Sequence, residues 1–213
     1  MKEQFPFTLH PLPYPECSLE PYLTQKTMKV HHDKLLCGYV RTLNALISKD
    51  PEYKGLSLYE IYELASEKND KNSTNVRYNA AAVYNHNLFF ALLCPSDNKC
   101  IRVPQGSLRA AIKEKFGSTD SFMTAFRNEA MSIKGSGWLF LCKNSRQEPE
   151  IIPCPNHSIP NTKEYTPILI LDCFEHAYFL DYLSDKKSYY ENYFRIINWR
   201  LAQMLWNCDI IYK

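Results

Sequence analysis

The stretch ILILDCFEHAYFLDYL, residues 168–183, is where an apolar strand gives way to a helix. The apolar run ends on Asp172, and Glu175 and His176 follow within four residues. Burying acids and an imidazole in such a place costs free energy unless something compensates them. Asp172 alone could cap the following helix, so the meaning of this stretch depends on which other residues meet it in the fold.

The composition is that of a globular protein. The chain has 213 residues, of which 45% are apolar, and its formal charge is +2. That length suits one large domain or two small ones, and the charge does not call for nucleic acid or a membrane surface as a partner. Since the N-terminus has no apolar core of signal-peptide length and no segment is long enough to span a bilayer, we expect a cytoplasmic protein.

The eight cysteines are scattered along the chain and form no C-x-x-C pair. A zinc knuckle or a thioredoxin-like motif is therefore not indicated. In a cytoplasmic protein we expect most of them to be buried, small apolar residues and not a disulfide framework.

The first half of the chain has the apolar spacing of helices. This spacing predicts one long helix over residues 20–48 and a second over residues 76–93. A break, a short helix and a polar loop at residues 69–75 separate the two. Together they predict a helical hairpin domain at residues 1–97.

The second half mixes helices and strands. Two helices are predicted first, with Gly117 ending one and Ser118 or Thr119 capping the next. Strands follow at GSGWLFLCKN, EIIPCP and YTPILILDCF, and we expect the last to be the central strand of a small antiparallel sheet.

Two closing helices are predicted at residues 175–184 and 188–205. The fold class is therefore α+β. An N-terminal helical hairpin is followed, at residues 98–213, by an α/β domain that contains the sheet.

Three histidines and one aspartate are candidates for a metal site. His31 and His86 each lie on an apolar face of one long helix, and Asp172 and His176 follow the predicted central strand. Any one of these histidines alone would more often be a hydrogen-bonded core residue, but a bound metal would compensate all four residues at once. Three imidazoles and one carboxylate suit manganese, iron, zinc, nickel or copper better than magnesium or calcium.

Motifs along nearly the whole chain resemble the iron/manganese superoxide dismutase family. The matching segments are FTLHPLPY, TMKVHHDK, YNAAAVYNHNLFF, GSGWLFL, LDCFEHAYFLDY and YFRIINW. The pattern D-x-x-E-H-A-Y is fairly specific alone, and the ordered set makes chance similarity implausible. The resemblance implies a helical hairpin and an α/β domain with a three-stranded antiparallel sheet, with the metal between them.

The resemblance also implies the ligands and the reaction. It assigns His31, His86, Asp172 and His176 to one iron or manganese ion per subunit, with a solvent molecule as fifth ligand. The implied reaction converts superoxide to dioxygen and hydrogen peroxide. Zinc cannot support it because zinc has no redox chemistry, and we expect iron in preference to manganese, with either metal open.

Further roles around the metal follow from the same resemblance. Tyr39 corresponds to a gateway tyrosine beside the substrate channel, Trp138 and Phe174 to the aromatic wall, and His157 to the residue that hydrogen-bonds the metal-bound solvent. Lys186 stands where the family has an arginine that attracts the anionic substrate. The alternatives are a core-edge tyrosine, a loop histidine and an ordinary solvated lysine.

The resemblance implies a homodimer, with a tetramer possible. Glu175 is expected to reach across the interface and orient the metal-binding histidine of the other subunit, a common role for residues around a metal site. Its alternative is a first-turn acid favoured by the helix dipole. Tyr178 is expected to lie at the same interface.

Several positions depart from the family pattern. Leu35 replaces a gateway histidine, which predicts a weaker proton relay with slower turnover or altered product inhibition. Phe174, Phe140 and Tyr84 stand at tryptophan positions, and Ala82 stands where iron-type members often carry glutamine. These changes keep two alternatives open: a structural or assembly protein that has lost catalysis, and a different mononuclear metal enzyme.

Overall fold

The computed structural model describes residues 4–95 and 100–208 of the chain. It confirms the α+β class, with a helical first half and a second half of helices and a three-stranded antiparallel sheet. The predicted boundary between residues 97 and 98 lies outside the described residues, so the two-domain division stays a prediction. In the described ranges, no helix combines the length and the apolarity that crossing a membrane requires.

The first long helix contains a feature that the sequence pattern did not predict. Helix α1, Gln25–Lys29, continues through a π-helical segment, Val30–Leu36, into α2, Cys37–Ser48. Apolar spacing predicted the helix itself, but the π-helical turns depend on backbone hydrogen bonds that the spacing does not report. Such segments are frequent at functional sites, and this one contains His31.

The second long helix begins earlier than predicted. After a short helix, α3, Leu58–Ser66, helix α4 spans Lys71–Ala91 and so includes most of the predicted loop. The Asp70 carboxylate caps it by accepting a hydrogen bond from the Ser73 backbone N–H at 2.9 Å, which favours a helix start despite the polar sequence. Helix α4 packs against both α2 and α3, which forms the predicted hairpin.

Two helices open the second half of the chain. Helix α5, Gly106–Phe116, ends at Gly117, whose φ of 84° is in the left-handed region that glycine adopts without strain. Helix α6, Thr119–Ser132, begins with Ser118 accepting a hydrogen bond from the Ser121 backbone N–H at 3.0 Å. Of the two residues predicted as candidates for this N-cap, Ser118 is the one that caps the helix.

The sheet consists of β1, Gly137–Asn144, β2, Pro149–Pro155, and β3, Tyr165–Asp172, in the order β2-β1-β3. The prediction that β3 is central was therefore wrong, because β1 pairs with both other strands. Strand β3 is apolar because it is covered by α4 and by the C-terminal helix. The end of β3 lies against α4, which positions Asp172 beside that helix.

The closing segment contains more breaks than predicted. A 3₁₀ turn, Glu175–Ala177, leads into α7, Phe179–Tyr182, and then α8, Lys186–Tyr193, and α9, Trp199–Asn207, follow. The break before α9 arises because the backbone there bonds elsewhere: Ile196 O accepts from Cys94 N–H at 2.7 Å, and Asn198 N–H donates to Leu92 O at 2.7 Å. These bonds tie the end of the helical hairpin to the second half.

The cysteines depart from expectation at one pair. Cys94 and Cys100 form a disulfide. Cys142, Cys154 and Cys173 are free and buried, as predicted for small apolar residues.

Candidate metal centre

Four side chains from four different elements converge in the interior. The π-helical segment supplies His31, α4 supplies His86, the end of β3 supplies Asp172, and the following 3₁₀ turn supplies His176. One nitrogen or oxygen atom of each lies within 4.8 Å of the others. The structure thus brings together all four residues that the sequence selected as metal ligands.

The cluster is centred on one carboxylate oxygen. Asp172 Oδ2 lies 3.1 Å from His176 Nε2, 3.2 Å from His31 Nε2 and 3.8 Å from His86 Nε2. The Nε2 atoms of His86 and His176 are 3.4 Å apart. Three imidazoles therefore point their Nε2 atoms at the same place.

The hydrogen bonding of these residues fits a bound cation. Although Asp172 Oδ2 is 3.2 Å from His31 Nε2, among the described residues neither ring nitrogen of buried His31 makes a well-aligned hydrogen bond. This is costly for Nε2 unless a ligand satisfies it. His86 Nδ1 lies 2.7 Å from Ala82 O and donates to it, so its Nε2 carries a lone pair that points into the cluster. Three imidazole nitrogens and one carboxylate without thiolate suit a transition-metal ion, iron and manganese among them.

The electrostatics of the cluster also favour a bound cation. Burial lowers the pKa of His31 and of His86, so both imidazoles stay neutral near pH 7 and keep their lone pairs. Burial raises the pKa of Asp172, but the neighbouring imidazoles, His176 first, lower it by more, and the net shift is downward. The buried carboxylate therefore stays ionised and attracts a cation.

A hydrogen-bonded row of side chains adjoins the cluster. His157 is only 4% exposed, so the alternative of an exposed loop residue is wrong. Trp138 Nε1–H donates to His157 Nδ1 at 3.0 Å, and His157 Nε2 lies 3.2 Å from the Tyr39 hydroxyl. Because an indole can only donate, Nδ1 carries no proton, and the neutral ring holds its proton on Nε2, which donates to Tyr39.

Phe174 connects this row to the four-residue cluster by stacking. Its ring lies 4.4 Å from the His157 ring, with 13° between the planes, and 5.0 Å from the His176 ring at 24°. Trp138 packs edge-on against His86 at 4.9 Å. The two predicted wall residues therefore pack against both His157 and the histidines of the cluster.

Glu175 and Lys186 lie at the surface beside the cluster. The Glu175 side chain is 52% exposed and accepts a hydrogen bond from Ser136 Oγ at 3.0 Å. The Lys186 ammonium is 3.8 Å from Glu175, so its charge is partly paired inside the chain.

Tyr178 is buried within its own chain. It is 1% exposed and stacks on Tyr189 at 5.2 Å, and its expected place at an interface stays a prediction. The next residue, Phe179, is 50% exposed. Because α7 starts at Phe179, the direction of each side chain depends on the local turn, which the motif does not specify.

One residue near the cluster was missed by the sequence analysis. The Tyr78 ring lies 4.8 Å from His157 and 6.2 Å from Tyr39. The available signal was its spacing, because residues 78, 82 and 86 recur every four positions and share one stripe of α4.

Comparisons with known proteins agree with this geometry. Residues 6–94 match the alpha-hairpin domain of iron/manganese superoxide dismutases, and residues 104–204 match the C-terminal domain of the same proteins. The chain is 35% identical over 200 residues to a manganese/iron superoxide dismutase of Staphylococcus aureus, covering 94% of this chain and 97% of that protein.

A second relative is a manganese superoxide dismutase of Thermus thermophilus. It is 34% identical over 199 residues, covering 93% of this chain and 96% of that protein. The matches extend over both halves of the chain, and the residues that converge in the cluster come from both. The chain belongs to the iron/manganese superoxide dismutase family.

Proposed function

We propose that this protein is a superoxide dismutase that converts superoxide into dioxygen and hydrogen peroxide. The observation that carries the proposal is the convergence of three buried or half-buried imidazoles and one carboxylate in a chain of this family. The alternative of a structural protein that has lost catalysis gains no support from the site, because none of the four candidate ligands is missing. The test is superoxide turnover, followed by stopped flow, of protein loaded separately with iron and with manganese.

The proposed ligands are His31, His86, Asp172 and His176. Bound iron or manganese supplies the one-electron redox cycle that this reaction needs and that zinc lacks. The neutral imidazoles offer nitrogen lone pairs, and the Asp172 carboxylate offsets part of the positive charge. Both ions accept this donor set, and the expectation that iron predominates is tested by elemental analysis.

Tyr39 is proposed to donate a proton during the reaction, and His157 is proposed to position its hydroxyl. Each peroxide formed needs two protons, and the Tyr39 O–H is free to donate because its oxygen already accepts from His157 Nε2–H. Burial, followed by interactions with Tyr78, raises the pKa of Tyr39. The phenol therefore keeps its proton at neutral pH and would give it up only to a strongly basic acceptor.

The buried state of His157 predicts a specific pH dependence of stability. Burial lowers the pKa of His157 from 6.5 to about 4. Between those two values the unfolded chain binds a proton that the folded chain does not. The contribution of His157 to stability is therefore full above pH 6.5 and falls by roughly 3 kcal/mol as the pH drops to about 4.

Denaturant unfolding from pH 7 to 4, compared between the wild type and His157→Gln, measures this loss. Acid also protonates the metal ligands, so the difference between the two proteins is the relevant quantity. Glutamine can accept from Trp138 and donate to Tyr39, but it does not titrate, so the variant should lose less stability on acidification. Replacing exposed His10 with glutamine is the control. Parallel curves for the wild type and His157→Gln would contradict the assignment.

We infer that the protein forms a homodimer through the surface around Glu175. This carboxylate is exposed next to the proposed ligand His176, and the residues that follow form an exposed apolar patch: Phe179, Leu180 and Leu183. A contiguous apolar patch beside a charged group is typical of an interaction site. In the dimer, Glu175 would orient the partner's ligand, and Lys186 would add positive charge near the substrate entrance.

Replacing Phe179 with glutamate is expected to weaken the dimer at least ~30-fold, because a buried interface aromatic contributes ~2 kcal/mol or more. The metal affinity should also fall ~10-fold, as it does when an outer hydrogen-bond partner of a metal ligand is lost. Sedimentation equilibrium measures the first effect and metal competition the second. Glutamate at Met131, which is 49% exposed on α6, is the matched control. If the Phe179 variant formed a dimer of unchanged stability, this surface would not be the dimer interface.

The cytoplasmic location stays a prediction, supported by the free thiols of the chain. Six cysteines are unpaired: Cys17, Cys37, Cys142, Cys154, Cys173 and Cys208. The Cys94–Cys100 disulfide is less usual in a reducing compartment. Thiol alkylation in intact cells, followed by mass spectrometry, tests whether Cys94 and Cys100 are reduced thiols inside the cell.

A further inference from the structure

Tyr78 is the exposed end of a row of polar side chains that leads toward the metal centre. Its side chain, on α4, is 41% exposed and faces both Tyr39 and His157. From Tyr39 the row continues to His157 Nε2 at 3.2 Å and from His157 Nδ1 to Trp138 Nε1 at 3.0 Å. Tyr39 is half-buried and the other two members are buried, so Tyr78 is the member with the widest access to solvent.

The sequence of α4 explains why these groups can meet. Tyr78, Ala82 and His86 lie on one stripe of the helix at intervals of four residues. Because alanine ends at Cβ, the stripe is open between its two larger members. The His157 ring occupies the same region, 4.8 Å from Tyr78 and 5.6 Å from His86.

Protons can enter this row of side chains only from its solvent-exposed end. At its inner end, the Trp138 indole can donate a hydrogen bond but cannot accept a proton. His157 holds one proton on Nε2 and uses it to fix the Tyr39 oxygen. A proton that Tyr39 gives away therefore cannot be replaced from the inner end, and Leu35, one turn before Tyr39, has no polar atom to offer.

We propose that Tyr78 is the proton-relay residue through which solvent reprotonates Tyr39. The inference rests on the proposed superoxide dismutation, since that reaction consumes the protons. The Tyr39 O–H bond would break as its proton passes to the reduced oxygen product. The Tyr78 O–H bond breaks as the new bond on Tyr39 forms, and a proton from water restores Tyr78. No electron moves in these steps.

The test compares Tyr78→Phe with the wild type. Phenylalanine keeps the ring against His157 and removes only the hydroxyl on a half-exposed surface. Turnover at high superoxide concentration, where proton supply limits the rate, is expected to fall about 10-fold, because a positioned general acid contributes at least ~100-fold and water replaces part of it. Small acids such as imidazolium in the buffer should restore the rate in a saturable way, and the solvent isotope effect should rise.

A second readout does not depend on turnover. In the zinc-loaded protein, which is diamagnetic and has no redox cycle, nitrogen-15 NMR follows solvent exchange of the His157 Nε2 hydrogen. Tyr78→Phe should slow that exchange several-fold. Tyr165→Phe, which removes a hydroxyl at the opposite end of β3, is the control and should change neither readout.

Two results would overturn the relay: wild-type behaviour of Tyr78→Phe in both readouts, or a turnover loss that small acids do not rescue while the exchange is unchanged. If the proposed superoxide dismutation itself is wrong, the experiments give a different result. In that case the wild type loaded with iron or manganese shows no turnover, and the exchange experiment still decides the role of Tyr78.

Discussion

Replacing Asp172 with asparagine is expected to remove both metal and activity. Asparagine can still accept the Phe174 backbone N–H that Asp172 Oδ1 accepts at 2.8 Å, so the local turn keeps its bond. The negative charge at the centre of three imidazoles disappears. Since loss of an outer-shell partner already costs ~10–100-fold in metal affinity, loss of this ligand should lower affinity and turnover by at least ~1000-fold.

The measurement is metal content per chain after dialysis, together with superoxide turnover of the same sample. Asp120→Asn is the matched control, because Asp120 is an exposed carboxylate in the first turn of α6. The control should keep full metal content and full turnover. If the Asp172 variant retained stoichiometric iron or manganese, the assignment of the cluster as the metal site would be wrong.

Removing the metal with a chelator is expected to lower thermal stability by a large amount. The proposed ligands come from the helical first half and from the sheet domain, so the ion joins the two parts of the chain. At free metal ~1000 times its Kd, binding contributes ~4 kcal/mol. For domains of this size, each kcal/mol shifts Tm by ~2–4 °C, so the expected fall is ~8–16 °C.

Adding metals back distinguishes the effect of a bound metal on thermal stability from its effect on superoxide turnover. Zinc should restore Tm because it accepts imidazole and carboxylate ligands, but it should restore no turnover because it cannot change oxidation state. Iron or manganese should restore both. The Asp172→Asn protein is the control, since its Tm should not respond to any of the three metals. Turnover with zinc alone would contradict the redox role of the site.

The clustering of the four candidate ligands could be predicted because it depends on short motifs within regular elements. His31 and His86 were identified on helical faces, and Asp172 and His176 in the strand-to-helix stretch, and the fold brings all four together. The burial of His157 depends on Trp138, which lies 19 residues earlier on β1. That contact could be expected from the resemblance but not from the residues around His157.

What the sequence did not predict depends on the backbone. The π-helical turns around His31 and the edge position of β3 are set by hydrogen bonds between residues that local spacing does not connect. Tyr178 and Phe179 are adjacent, and only the turn after His176 decides which of them is buried. Tyr78 was missed because its partners, Tyr39 and His157, come from two other elements and meet it only in the folded chain.

His31, His86, Asp172 and His176 are proposed to hold a redox-active metal at which superoxide is converted to dioxygen and hydrogen peroxide. The most direct measurement is elemental analysis of natively expressed protein with superoxide turnover assayed on the same sample. We expect close to one iron or manganese ion per chain and fast turnover in proportion to that content. A folded protein that binds neither metal would show that the proposed metal site is wrong, and bound metal without turnover would show that the proposed reaction is wrong.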